Sequence, residues 1–134
     1  MERKVKICVF GNPLLDFDSL PLKLVPELQK EFPEINFVVL DPNENLKPEN
    51  KELIIIDTVK NIEEVKVLND LSKLETAKIF SAHDLDLSFN LKILQKIGKL
   101  NKVIIFGIPP EIKKQEAKKQ LTRLIKKYVQ FKSN

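Results

Sequence analysis

The stretch ELIII, from Glu52 to Ile56, contains the continuous apolar run LIII, which decides the fold class. A strand with one solvated face alternates apolar and polar residues, so this run predicts a strand covered on both faces. KVIIF, from Lys102 to Phe106, has the same character. Two such strands indicate a central, largely parallel sheet with helices packed on both of its faces.

Other strand-sized runs and helical spacings alternate on either side of ELIII. They predict an α/β fold in a single domain that spans residues 1–134. The domain would be a three-layer sandwich, with helices on both faces of a twisted, mostly parallel sheet of about five strands. Strands are predicted at Val5–Phe10 and Asn36–Leu40, with short edge strands at Val65–Leu68 and at Ala77–Phe80. Helices are predicted at Leu20–Phe32, Leu87–Ile97 and Glu111–Phe131.

Three local features of these helices can also be predicted. Pro26 removes an internal hydrogen bond, so it is expected to kink the first helix or to mark its true start. Gly98 is expected to end the second helix, whose inner face would hold Leu91, Leu94 and Ile97. The inner face of the last helix would hold Ile112, Leu121, Leu124, Ile125, Tyr128 and Val129.

Residue counts exclude several classes of site. The single cysteine, Cys8, excludes a disulfide framework and lies mid-strand, where a buried thiol is an inert packing residue. The single histidine, His83, excludes sites that need two imidazoles. Three glycines leave no room for a Gly-rich phosphate loop. With no membrane-length apolar run and no secretory signal, we expect a cytoplasmic protein without membrane insertion.

The positive charge is concentrated in the last helix. Residues 111–134 hold eight Lys or Arg against two Glu, a net of +6, so the other 110 residues hold −2 of the total +4. This pattern indicates a local docking surface or a solvated helix face. Only two of the 23 basic residues are arginine, and lysine lacks the forked geometry that reads bases. We therefore expect no nucleic-acid partner.

Polar side chains follow the predicted strands where an open parallel sheet binds its ligands. They are Asn12, Asp16, Asp18, Asp41, Asp57 and His83. Each has an ordinary structural alternative: Asp18 or Ser19 as a helix cap, Asp41 and Asp57 as turn residues, and His83 as a structural histidine. Taken together, two carboxylates and an imidazole form an O,O,N set that suits a divalent metal with open coordination positions. An acid/base pair of aspartates is a second possibility, and a serine triad is disfavoured because no GxSxG elbow is present.

Five segments resemble the hydrogenase maturation endopeptidases, which process nickel–iron hydrogenase large subunits. They are GNPLLDFDSLPLKLVPEL (11–28), LDPNEN (40–45), LIIIDTV (53–59), SAHDLDL (81–87) and VIIFGIPPE (103–111). Departures from the family pattern occur at Phe17, at Pro21 and at Pro42–Asn43. The resemblance implies that Asp18, Asp57 and His83 are the catalytic and metal-contacting residues, with Asn12, Asp16 and Asp41 in supporting or substrate-positioning roles.

The resemblance also implies a function and a partner. The expected activity is removal of the C-terminal extension of a hydrogenase large-subunit precursor after nickel insertion. The substrate's nickel would be the recognition signal, a divalent metal in the free site is a further possibility, and no organic cofactor is expected. We expect a monomer. Two alternatives remain open: a non-catalytic homologue that binds a metal-loaded partner, and an interaction module that acts through the basic last helix.

Overall fold

The computed structural model describes residues 5–12, 14–15, 18–40, 46–69 and 90–129. In chain order the elements are β1 (Val5–Val9), α1 (Leu20–Glu31), β2 (Ile35–Val39), β3 (Glu52–Thr58), β4 (Lys66–Leu68), α2 (90–96), β5 (Lys102–Ile108) and α3 (Lys114–Tyr128). The second edge strand predicted at 77–80 lies outside the described residues. None of the helices in the described ranges is long and apolar enough to cross a membrane.

The five strands form one sheet in the order β2-β1-β3-β5-β4. The β1–β2, β1–β3 and β3–β5 pairs are parallel, and β4 runs antiparallel to β5 at one edge. This arrangement confirms the predicted mostly parallel sheet and the short edge strand near Val65–Leu68. β3 and β5 lie inside the sheet, as their unbroken apolar runs require.

The two faces of the sheet bury separate hydrophobic clusters. Ile54 and Ile56 of β3 belong to the cluster that includes residues of α1 and α3. Leu53 and Ile55 belong to the cluster on the opposite face, together with Leu91 of α2. The side chains of successive β3 residues therefore pack against opposite layers. Fully burying each aliphatic side chain stabilises the fold by about 1.5–3 kcal/mol. The predicted three-layer arrangement is confirmed.

Helix α1 passes through Pro26 without ending there. It begins at Leu20, with Pro21 in its first turn, so the prediction that Pro26 marks the true start was wrong. Leu24 and Leu28, on either side of Pro26, are buried against the sheet. This apolar face compensates for the backbone hydrogen bond that an internal proline removes. Ser19 is the N-cap residue, but its side chain makes no capping hydrogen bond.

Two predicted inner-face residues lie at helix ends and are exposed. Ile97, 58% exposed, follows the last helical residue of α2, and the Gly98 turn (φ 78°) carries Leu100 back to pack beside Leu94 in its place. Tyr128, 37% exposed, is the last residue of α3, and Lys127 Nζ lies 5.5 Å from its ring centroid. A tyrosine at a helix end keeps its apolar ring partly covered and its polar tip near water. The predicted role of Gly98 is confirmed.

The side chain of Gln29 in α1 bonds to the outer side of the edge strand β2. Its Nε2 donates to the carbonyl of Ile35 at 2.7 Å, and its Oε1 accepts from the Phe37 N–H at 3.4 Å. The Leu40 N–H donates to the carbonyl of Val9 in β1. The backbone N–H and C=O groups of alternate β2 residues therefore point towards β1, and those of the residues between them, including Ile35 and Phe37, point away from it. The Gln29 side chain therefore provides hydrogen-bond partners for the outward-pointing backbone groups of Ile35 and Phe37, which an additional strand would otherwise pair.

Replacing Gln29 tests this protection. We expect Gln29→Ala to lower the free energy of unfolding by about 1–3 kcal/mol, because buried or half-buried backbone groups lose their partners. Self-association should also increase with protein concentration, because the edge of β2 becomes available for pairing. Urea unfolding and analytical ultracentrifugation measure the two effects. Gln95→Ala, at an exposed position of α2, is the matched control; equal losses in both variants would contradict the proposed role of Gln29.

Candidate active site

The strand order creates a crevice at the carboxyl ends of β1 and β3. The chain leaves β1 towards β2 on one side, whereas β3 and β5 extend the sheet on the other side. Open α/β sheets bind ligands at such a switch point, outside the carboxyl ends of the two strands. We call this part of the molecule the carboxyl rim and define it as residues 10–12, 18, 57–63 and 107–112.

Asp57 lies within β3, one residue before its end, and is 5% exposed. The sequence had placed it just after the strand, which in the structure extends to Thr58. The Thr58 N–H donates to Asp57 Oδ1 at 2.8 Å, and this bond orients the carboxylate. Across the sheet Asp57 is in register with Gly107 of β5. A carboxylate is rarely this buried unless it has a specific task or partner.

The loop that follows β1 brings Asp18 to the same rim. The Phe10 N–H donates to the carbonyl of Ile56 at 2.9 Å, which extends the β1–β3 pairing beyond the end of β1. The Asn12 N–H then donates to the backbone oxygen of Asp18 at 2.9 Å and closes the loop. Asp18 is 8% exposed, so both candidate carboxylates are buried at the ends of adjacent strands.

Gly11 permits this loop because nothing larger fits between the two segments. A Cβ atom at Gly11 would lie 2.7 Å from the backbone oxygen of Asp18 and 3.1 Å from Leu22 Cγ. Contacts below 3 Å to backbone atoms require the backbone to move. The requirement at Gly11 is therefore close approach rather than an unusual φ angle.

Asn12 holds the apex of the loop with its side chain. Its Oδ1 accepts from the Leu14 N–H at 2.9 Å, and its carbonyl accepts from the Leu15 N–H at 3.2 Å. The Asp18 N–H in turn donates to the carbonyl of Leu15 at 2.9 Å. Asn12 thus connects the end of β1 to the segment that carries Asp18, which gives it a structural means of positioning that residue.

The remaining predicted site residues cannot be placed. Asp16, Asp41 and His83 lie outside the described residues, so their part in the site stays a prediction. Within the described ranges no three His, Cys, Asp or Glu side chains form a group that could hold a metal ion. The structure thus places two members of the predicted O,O,N set, Asp18 and Asp57, at one rim.

A cleft that sequence reasoning missed lies on the same rim. It has a volume of about 430 Å³ and is lined by residues 60–63, which follow β3, and 109–112, which follow β5. The Pro109–Pro110 pair was the one local signal, because adjacent prolines stiffen a segment as it leaves a strand. Only the sheet register brings these two segments, nearly fifty residues apart, together.

Cys8 and the basic face of α3 contribute little to this rim. Burial raises the pKa of the Cys8 thiol, which keeps it protonated and supports its predicted role as a packing residue. On α3, Lys114 and Lys118 lie 3.2 and 3.7 Å from the Glu27 carboxylate of α1. Hydrogen bonding from Lys114 holds the pKa of Glu27 below its usual range. Part of the basic face thus fastens α3 to α1, as a solvated structural face would.

Comparison with known proteins identifies the family. The family model described as hydrogenase maturation protease matches residues 22–132. The chain belongs to this family. It is therefore a peptidase, a hydrolase that acts in hydrogenase maturation. The matched residues include Asp57 and His83, whereas Gly11, Asn12 and Asp18 precede them.

A solved structure supports the same fold for this protease. The hydrogenase maturating endopeptidase HybD from E. coli aligns over 95% of this chain and 94% of its own, with a TM-score of 0.63 and 19% sequence identity. At that identity the likeness shows a shared fold. No curated protein sequence gives a significant match.

Proposed function

We propose that this protease removes the C-terminal extension of a nickel–iron hydrogenase large-subunit precursor after nickel has been inserted. The observation that supports the site is the burial of Asp18 and Asp57 at the adjacent carboxyl ends of β1 and β3. Open α/β sheets bind ligands at the switch point, so in a member of this family we expect the reaction to take place beside these two carboxylates. His83 would complete the set.

The chemistry of these groups suits a nickel ion that the substrate itself holds. Carboxylate oxygen and imidazole nitrogen are ligands for borderline divalent metals, and they would add to the coordination that the precursor already provides. This contact would fix the scissile peptide bond against the rim. Hydrolysis then requires either a metal-activated water or an aspartate that accepts the proton of the attacking water. In both routes Asp18 and Asp57 remain in contact with the reacting groups.

The nickel requirement gives the test of this proposal. The protease is incubated with the same precursor in nickel-free, nickel-loaded and zinc-loaded forms, and intact-mass spectrometry follows the large subunit. We expect the loss of a C-terminal peptide from the nickel-loaded form alone, because only that form presents the recognised ion. Equal cleavage of the nickel-free form would contradict recognition through nickel. Tight binding of the nickel-loaded form without cleavage would favour the alternative of a non-catalytic, metal-recognising homologue.

A further inference from the structure

We propose that the cleft lined by residues 60–63 and 109–112, here called the rim cleft, binds an extended segment of the precursor next to the scissile bond. The segment would present an apolar side chain beside a basic one. This inference rests on the proposed function, since it concerns where the same substrate lies. It adds a peptide subsite to the metal-recognising residues.

The rim cleft is formed by two chain segments that are fastened to each other. The Val59 N–H donates to the carbonyl of Ile108 at 3.0 Å, which joins the chain beyond β3 to the end of β5. A Cβ atom at Gly107 would lie 2.7 Å from Val59 Cγ2 and 3.5 Å from Ile62 Cδ1. The bare backbone of Gly107 thus lets the segment after β3 cross closely over β5. The two segments that line the cleft are therefore anchored to the ends of β3 and β5.

The rim cleft is close to the candidate active site. Asp57 and Gly107 are directly opposite each other in register, and neighbouring strands are separated by about 4.8 Å. Ile62, which touches the position of Gly107, lines the cleft. A peptide lying in the cleft would thus reach Asp57 within about two or three residues of its length, since an extended chain advances about 3.3 Å per residue.

The lining of the cleft indicates what kind of peptide it would accept. Ile62, Pro109, Pro110 and Ile112 provide apolar surface, and the volume falls within the range of ordinary ligand sites. Glu63 and Glu111 are exposed, and neither forms an ion pair with any other described residue. Lys60 already takes part in an interaction of its own. The two glutamates therefore favour a lysine or arginine in the bound peptide.

Reversing these two charges tests the inference. We expect the Glu63→Lys, Glu111→Lys double variant to raise the KM for the nickel-loaded precursor about tenfold, with kcat changed less than about twofold, because rim charges act on association more than on chemistry. The increase should shrink at high salt. Both positions are exposed, so the fold should tolerate the change. The matched control is Glu34→Lys, an exposed position beside the amino end of β2.

The outcomes separate this inference from the proposed function. If the wild-type protease does not cleave the nickel-loaded precursor, the proposed function fails. If the wild type cleaves it and the double variant keeps the wild-type KM, the cleft inference alone is overturned. An equal increase in KM for Glu34→Lys would also overturn it, because the effect would then reflect net charge. A photoreactive phenylalanine analogue at position 111 should cross-link to the precursor near its cleavage site, and cross-linking elsewhere would count against the cleft.

Discussion

Asp57→Asn is expected to reduce cleavage of the nickel-loaded precursor by about 10²–10⁴-fold, the range found when a catalytic proton-transfer group is removed. Asparagine has nearly the same shape and still offers Oδ1 to the Thr58 N–H, which lies at 2.8 Å in the native protein. The substitution therefore removes the negative charge while it retains the local hydrogen bond. Single-turnover cleavage followed by mass spectrometry measures the rate, and thermal unfolding shows whether the fold persists.

A control from the same strand makes this prediction specific. Glu52 begins β3 at the end of the sheet opposite to Asp57, and its contact is an exposed ion pair with Lys102 at 3.7 Å. Glu52→Gln should therefore leave cleavage unchanged. Asp18→Asn and His83→Ala should resemble Asp57→Asn if the three residues act together. Near wild-type cleavage by a folded Asp57→Asn variant would show that the reaction lies elsewhere.

The layers of the fold and the location of Asp57 were predictable because each depends on local sequence. After their first residues, Glu52 and Lys102, ELIII and KVIIF contain no polar position on either face, so the strands that they form must be buried on both sides. The rule that ligands bind at the carboxyl ends of parallel strands then directs attention to Asp57. The structure differs only in detail, because β3 continues past Asp57 to Thr58.

Features that depend on how the elements meet in three dimensions were not predictable. The rim cleft requires the β3–β5 register, which places Asp57 opposite Gly107. The bonds from Gln29 to β2 require that the chain reverse at the end of α1 and return beside it. Helix ends form a third class: periodicity places Ile97 on the inner face, but the turn at Gly98 delivers Leu100 to the cluster instead. Local sequence patterns do not specify which residues of other segments these side chains will contact in the folded structure.

Gly11→Ala is expected to reduce cleavage about 100-fold, even though Gly11 has no functional group. The added Cβ would lie 2.7 Å from the backbone oxygen of Asp18, the same atom that accepts the loop-closing bond from the Asn12 N–H. That oxygen must move, and the Asp18 carboxylate moves with it. Misplacing a reacting group by about 1 Å is enough for a loss of this size. The free energy of unfolding should fall by about 1–3 kcal/mol, as for other overpacked sites.

The matched control for this prediction is the same substitution at Gly98. There the added Cβ would meet no atom within 4 Å, but the positive φ of 78° disfavours any side chain. Gly98→Ala should therefore cost about 1 kcal/mol of stability and leave cleavage unchanged. The pair separates loss of stability from loss of geometry, because both variants are destabilised and only one displaces a candidate catalytic residue. Equal cleavage by the two variants, measured well below their unfolding midpoints, would contradict the role assigned to the Gly11–Asp18 contact and would weaken the case for Asp18 in the active site.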